Sequence, residues 1–202
     1  MKKIIVLALF LALMVTGAFA MDRAVGGGFL FNASSTRGTM ENFMLPEFGY
    51  LPSADWNMRR LGYGAFAFFG INQFVEFNLG FLYKNPNDFI VTAKGSTKTV
   101  DAGIESTAAL HFGAYGKYPF LLSRSMVLFP TAGVDFEFTL SNDWWHDLWI
   151  RGGVGLDYFF SDTLFMRGHA IYGIGLPVSG DAELGLKLSH GLLAKIGLGW
   201  MF

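Results

Sequence analysis

Residues Leu128-Phe129-Pro130-Thr131-Ala132-Gly133-Val134-Asp135-Phe136-Glu137-Phe138-Thr139-Leu140 alternate with a period of two. Leu128, Pro130, Ala132, Val134, Phe136, Phe138 and Leu140 share one phase. Thr131, Gly133, Asp135, Glu137 and Thr139 share the other. Successive side chains of a strand point to opposite faces, so this spacing predicts a β-strand with one apolar and one polar face. Its length exceeds the roughly 9–11 residues that a tilted strand needs to cross a bilayer.

The same rhythm recurs along the chain. In Phe74 to Tyr83, Val75, Phe77, Leu79, Phe81 and Tyr83 oppose Glu76, Asn78 and Gly80. In Ile150 to Phe160, Ile150, Val154, Leu156, Tyr158 and Phe160 oppose Arg151, Gly153, Gly155 and Asp157. Leu164 to Ile174 sets Leu164, Met166, Ala170, Tyr172 and Ile174 against Arg167 and His169. Asp101 to Gly113 sets Ile104, Ala108, Leu110 and Phe112 against Glu105, Thr107 and His111. The last strand, about Leu184 to Phe202, puts Leu192, Ala194, Ile196, Leu198, Trp200 and Phe202 opposite Lys187, Ser189, Lys195, Gly197 and Gly199. Arg23 to Phe31 follows the pattern loosely, and Arg60 to Phe69 is apolar on both phases, which leaves its facing open. About eight strands result. Between them, Ser34 to Asn57 and Lys84 to Thr99 read as long loops, Ser141 to Asp147 and Pro177 to Glu183 as shorter ones. Gly70-Ile71-Asn72 and Ser161-Asp162 read as tight turns, and Tyr115 to Ser125 as a longer connection. In transmembrane barrels the short turns face the periplasm and the longer loops face outside.

Composition narrows the class. Hydrophobic residues make up 52% of the chain and charged residues 15%, against about 25% charged in soluble domains. Past the N-terminus no uninterrupted apolar run reaches about 18 residues, as Glu76 shows by ending the stretch that begins at Leu61. Lipid admits only helices and closed barrels, because each backbone N–H and C=O must find a partner internally. The expected fold is therefore all-β, a transmembrane antiparallel up-and-down β-barrel of about eight strands.

The N-terminus reads as a secretory signal: Lys2 and Lys3, an apolar run from Ile4 to Val15, then Ala18 and Ala20 in the A-x-A relation of a cleavage site. Cleavage after Ala20 makes 1–20 the signal and 21–202 one barrel domain. A retained anchor is the alternative, but the run is short of a spanning helix. Without Lys2 and Lys3, the 15 basic side chains fall to 13 against 16 acidic ones. Such a chain offers no basic field to nucleic acid. With no cysteine it can form neither a disulfide framework nor a thiolate metal site.

Alternation alone does not say which phase meets lipid, since a soluble lipocalin-like barrel also alternates. Here the polar phase combines glycines with single charges of both signs, which suits a narrow lumen where charges are matched. The apolar phase is rich in Phe, Leu, Tyr and Trp, as a lipid-facing band with girdles requires. The last residues decide in the same direction. Lys195, Gly197, Trp200 and Phe202 resemble the C-terminal β-signal of bacterial outer-membrane proteins. That resemblance implies the barrel assembly machinery as folding partner and the outer membrane as location. In size and architecture the mature chain resembles small eight-stranded barrels of the OmpX, OmpA-transmembrane-domain and OmpW types.

Several groups could carry function. Glu76, Glu105, Asp135, Glu137 and Asp157, with Arg151, Arg167, Lys187 and Lys195, fall on the lumen phase. They form either a gated path or a plug, and an interior just wide enough for side chains favours the plug. Ser141 to Asp147 brings Ser, His and Asp into one loop, but Ser141 and His146 there lack the fixed geometry that a triad demands. Trp144, Trp145 and Trp149 read instead as an interfacial aromatic belt. His111 and His169 read as lumen hydrogen-bonding groups rather than metal ligands. Segment 34–57 carries Phe43, Met44, Leu45, Phe48, Tyr50, Leu51 and Trp56, which fold over the mouth or meet an extracellular partner or an apolar solute. The expectation is an integral, non-enzymatic outer-membrane barrel without metal or cofactor, structural or surface-interacting, with a mostly plugged lumen. A passive conduit for small solutes, apolar ones included, is the alternative, and a lipid-modifying enzyme a distant third.

Overall fold

The computed structural model describes residues 23–45, 49–93, 95–100, 105–140, 146–179 and 188–202. The signal segment 1–20, with Ala18 and Ala20, lies outside the described residues, as do Ser141, Trp144, Trp145 and Lys187. Ten strands follow one another. They are β1 (Ala24–Leu45), β2 (Gly49–Gly70), β3 (Val75–Ala93), β4 (Ser96–Val100), β5 (Thr107–Lys117), β6 (Phe120–Ser123), β7 (Met126–Thr139), β8 (His146–Phe159), β9 (Leu164–Ser179) and β10 (Leu188–Met201).

Eight of these close a ring. Each strand of β1, β2, β3, β5, β7, β8, β9 and β10 pairs antiparallel with the next, and β10 pairs back onto β1. The short β4 extends the hairpin of β3, and β6 continues the line of β5 alongside β7. The register fixes the shape. Starting at Ala24, the ladder passes through Gly70, Glu76, Tyr115, Gly133, Arg151, Gly173 and Gly191. It returns to β1 at Ser34, a stagger of ten residues from Ala24. With about 3.3 Å per residue and about 4.8 Å between strands, that stagger tilts eight strands by roughly 40° to the axis. The ring closes to its ends: Arg23 N donates to Phe202 O at 3.1 Å, and Phe202 N donates to Arg23 O at 2.9 Å.

The outside of this ring is apolar. Phe29, Phe31, Leu61, Tyr63, Phe77, Leu79, Phe81, Ile150, Val154, Tyr172, Ile196 and Leu198 are all exposed. The inside holds the charged and amide groups, nearly all buried. This is the inverse of a soluble barrel and puts the chain in a bilayer, where an exposed apolar exterior costs nothing. The uncertain facing of Arg60 to Phe69 resolves through the same register: Leu61, Tyr63 and Phe69 face out, and Phe66 and Phe68 are buried inside.

Tight turns gather at the end that carries the termini. Asn72 Oδ1 accepts from both Phe74 N and Val75 N at 2.8 Å, closing the β2–β3 turn as a side-chain turn does. Ser161 Oγ accepts from Leu164 N at 3.0 Å between β8 and β9.

At the other end two expectations fail. Segment 34–57 is not a loop but the far half of a hairpin, with β1 and β2 paired from Ala24–Gly70 to Leu45–Gly49. Lys84 to Thr99 is likewise mostly strand, turning at Gly95 (φ +74°) into β4. The reason is cross-strand satisfaction: Ser35 donates to Asn57 at 2.8 Å, Thr39 to Asp55 at 3.1 Å and Tyr50 to Asn42 at 2.8 Å. On the opposite face Met40, Leu51, Ala54, Trp56, Met58, Val91, Ala93 and Val100 form one buried apolar cluster. Pro86, which would break a regular strand, sits where the register slips between Arg59 and Arg60, as Pro in sheets does.

Candidate functional site

The lumen is the most chemically dense region. Along β3 the inward residues are Glu76, Asn78, Gly80, Leu82 and Lys84, because the register holds even positions inside. The same rule places His111 and Tyr115 from β5, Asp135 and Glu137 from β7, and Trp149, Arg151 and Asp157 from β8. It adds Arg167 and His169 from β9 and Lys195 from β10. All are buried, so each charge needs a partner within the ring.

The partners form two layers. Near the turn end, Arg167 Nη2 lies 2.5 Å from Asp157 Oδ2 and Nε lies 2.6 Å from Oδ1, a bidentate fork. Its Nη1 also bonds Glu76, which takes Lys117 Nζ at 3.0 Å. The guanidinium is boxed by Phe68, Phe165 and Phe129, whose ring centres lie 4.6, 4.9 and 5.3 Å away. Toward the outer end, Arg151 Nε meets Asp135 at 2.6 Å and its Nη2 meets Glu137 at 3.2 Å. Glu137 also binds Lys84. Tyr115 donates to Asp135 at 2.5 Å, and His111 Nε2 lies 3.0 Å from the same carboxylate. Trp149 covers the Arg151 guanidinium at 4.2 Å. Lys195 lies between the layers: its Nζ reaches Asn78 Oδ1 at 3.2 Å, Asn78 donates to Glu76 at 3.1 Å, and the same Nζ sits 4.7 Å from the Tyr115 ring centre.

Among the described residues, the two layers thus bring together four carboxylates (Glu76, Asp135, Glu137, Asp157) and five cations (Lys84, Lys117, Arg151, Arg167, Lys195). Lys84 and Lys117 were not among the sequence candidates, because both sit where a loop or turn was expected. Extending the inward parity of β3 by two residues beyond Leu82, or of β5 beyond Tyr115, finds them. Glu105 is a correction in the other direction: it is exposed and precedes β5, outside the network, because β5 starts only at Thr107. Lys187 lies outside the described residues. Trp149 is corrected as well. It is 1% exposed and belongs to the lumen, not to an interfacial belt, because it shares its phase with Arg151. His169 meets the Phe129 ring edge-on at 5.1 Å.

At the seam, the four C-terminal signal positions take distinct places. Lys195 points into the lumen, Trp200 and Phe202 are exposed on the outer face, and Gly197 opposes Gly28 across β10–β1. A side chain at Gly197 would collide with the Gly27 carbonyl, so close backbone approach requires glycine there.

This architecture has solved counterparts. The outer membrane protein OprG from Pseudomonas aeruginosa superposes with a TM-score of 0.53 over 91% of this chain and 96% of that chain, at 13% identity. The fold is a small outer-membrane β-barrel. AlkL, solved by solid-state NMR in DMPC bilayers, matches at TM-score 0.45 and 13% identity over 90% of each chain. The neisserial surface protein NspA matches at TM-score 0.38 and 14% identity, over 88% of this chain and 99% of that chain. No protein-family model matches the sequence of this barrel, and no curated protein matches it.

Proposed function

We propose that the protein is a non-enzymatic outer-membrane barrel whose lumen is closed by its own ion pairs and whose long outer hairpin carries the interaction with the surroundings. The observation behind this reading is the double layer of paired charges. Arg167 answers both Glu76 and Asp157, and Arg151 answers both Asp135 and Glu137. An ion crossing the barrel would have to part pairs that are buried and hydrogen-bonded, and a buried charge left without its partner costs about 3–5 kcal/mol.

The hairpin supports the second half of the reading. The β1–β10 ladder runs no further out than Arg37, yet β1 and β2 continue together to Leu45 and Gly49. Eight residues of strand add roughly 25 Å of reach. Met44 and Tyr50 are exposed near its tip, a surface suited to a partner outside the cell. The barrel assembly machinery is the proposed folding partner, through the exposed Trp200 and Phe202 on the closing strand.

One observation favours a second reading, a conduit for small apolar solutes. The Met40, Leu51, Trp56, Met58, Val91 and Val100 cluster stands outward of the charged layers and offers an apolar environment there. Uptake of a small apolar solute and of a neutral sugar into proteoliposomes separates the two. Closed liposomes for both solutes support the surface role. Apolar uptake alone, lost when Met58 and Val91 are changed to Asp, establishes the conduit.

A further inference from the structure

Outside the ring, where the lipid-facing band ends, the wall is concave. The outward ladder of β1 reads Phe29, Phe31, Ala33 and then Ser35, Arg37 and Thr39; that of β2 reads Tyr63, Leu61 and then Arg59, Asn57 and Asp55. The switch from apolar to polar falls at one height on both strands, just past the Tyr63–Tyr83 pair, whose rings lie 5.7 Å apart as a girdle's would. Immediately above it is an open cleft of about 440 Å³, lined by Arg37, Thr39, Asp55, Asn57, Ile90 and Leu188 among others. The register puts these side chains on one face: Arg37 opposes Asn57 and Leu188, Asn57 opposes Ile90, and Asp55 opposes Thr92.

The cleft's polar groups are unequal. Asp55 accepts from Thr39, and Asn57 accepts from Ser35. Arg37 is exposed and takes part in no ion pair or side-chain hydrogen bond among the described residues. Arg59 is not part of the cleft's lining but stands beside it, exposed and across the ladder from Asp88; it is the diagonal neighbour of Arg37, a spacing of about 7–8 Å between Cα atoms. Two guanidinium groups at that spacing repel each other and attract one shared anion, and the guanidinium fork matches phosphate geometry. Asp55 and Asn57 add acceptors for hydroxyl donors, and Ile90 and Leu188 add apolar surface continuous with the lipid-facing band.

We propose that this cleft binds the phosphorylated sugar headgroup of an outer-leaflet glycolipid. Arg37 and Arg59 hold the phosphate, Asp55 and Asn57 accept from sugar hydroxyls, and the acyl chains lie down the apolar wall below. A phosphate alone would leave the two acceptors unused and meet the Asp55 carboxylate; a neutral lipid would leave Arg37 unanswered. The assignment is independent of whether the lumen is closed.

The test uses the full mature barrel in neutral detergent, with a bisphosphorylated lipid-A-type glycolipid, its dephosphorylated form and inorganic phosphate as probes. Bound lipid is read by native mass spectrometry, and folding by the heat-modifiable gel shift. The phosphorylated glycolipid is expected to stay bound to the wild type, and Arg37→Gln to weaken it about tenfold or more, as loss of a charged hydrogen bond does. Thr92→Trp, which fills the cleft and removes no charge, is expected to expel it too while the gel shift persists. Equal retention by both variants, or by the dephosphorylated glycolipid, overturns the proposal. Displacement of the glycolipid by millimolar inorganic phosphate also overturns it, since that marks a free-anion site.

Discussion

At the scale of single residues, the lumen is governed by the cost of an unpaired buried charge. Arg167 is the sharpest case, because it forks onto Asp157, bonds Glu76 and fills a three-ring box. Arg167→Met keeps much of its volume but strips Asp157 of its ion-pair partner and leaves Glu76 with Lys117 alone. We expect this change to destabilise the folded barrel by about 3–5 kcal/mol, read as a lower urea midpoint for loss of the heat-modifiable form. Converting Arg167, Glu76 and Asp157 together to Met, Gln and Asn should restore most of that loss. A stable single variant would show that the pairs are dispensable. Gly197→Val makes a different claim, about backbone approach at the seam, and is expected to lower the yield of inserted protein through the clash with Gly27.

At the scale of elements, the ring and the hairpin are separable. The β1–β10 ladder uses Ala24 to Arg37 and the β2–β3 ladder uses Asp55 to Gly70, so residues 38–54 pair only with each other or within the hairpin. Replacing 38–54 by a short Asn-Gly turn should leave insertion and the gel shift intact and abolish whatever surface binding the protein shows. A hairpin-trimmed chain that no longer folds would contradict this division. The closing strand is the opposite case. Phe202 is hydrogen-bonded to Arg23 through its backbone while its ring is exposed, so Phe202→Lys should reduce assembly in cells, and normal levels of inserted protein would refute its role as a signal.

These two elements also show what sequence alone reveals. The ring strands were legible because lipid outside and charges inside force opposite chemistry onto alternate residues, as in Asp135 and Glu137 between Val134, Phe136 and Phe138. Above the bilayer that constraint lapses. The hairpin's outer face is wet, so Ser35, Thr39, Asp55 and Asn57 made it look like a loop, although Met40, Leu51 and Trp56 keep the inward phase. Within the lumen, aromatic residues blurred the pattern: Phe66, Phe68 and Trp149 face inward because cations stack on rings, which makes an apolar side chain a proper lumen group. That is why the facing of 60–69 stayed open and Trp149 was misplaced.

At the scale of the whole molecule, a stagger of ten residues over eight strands sets a tilt of roughly 40° and an interior that side chains can fill. Among the described residues, nine charged groups pair there in two layers, while the apolar wall outside meets lipid. The most direct test of a closed, membrane-spanning barrel is planar-bilayer current across the refolded mature chain, after the heat-modifiable shift has shown that it is folded. The paired layers predict no steady single-channel steps from the wild type, and steps appearing when Glu137 and Asp135 are both changed to Ala. Steady steps from the folded wild type would contradict the closed lumen and make the protein a pore.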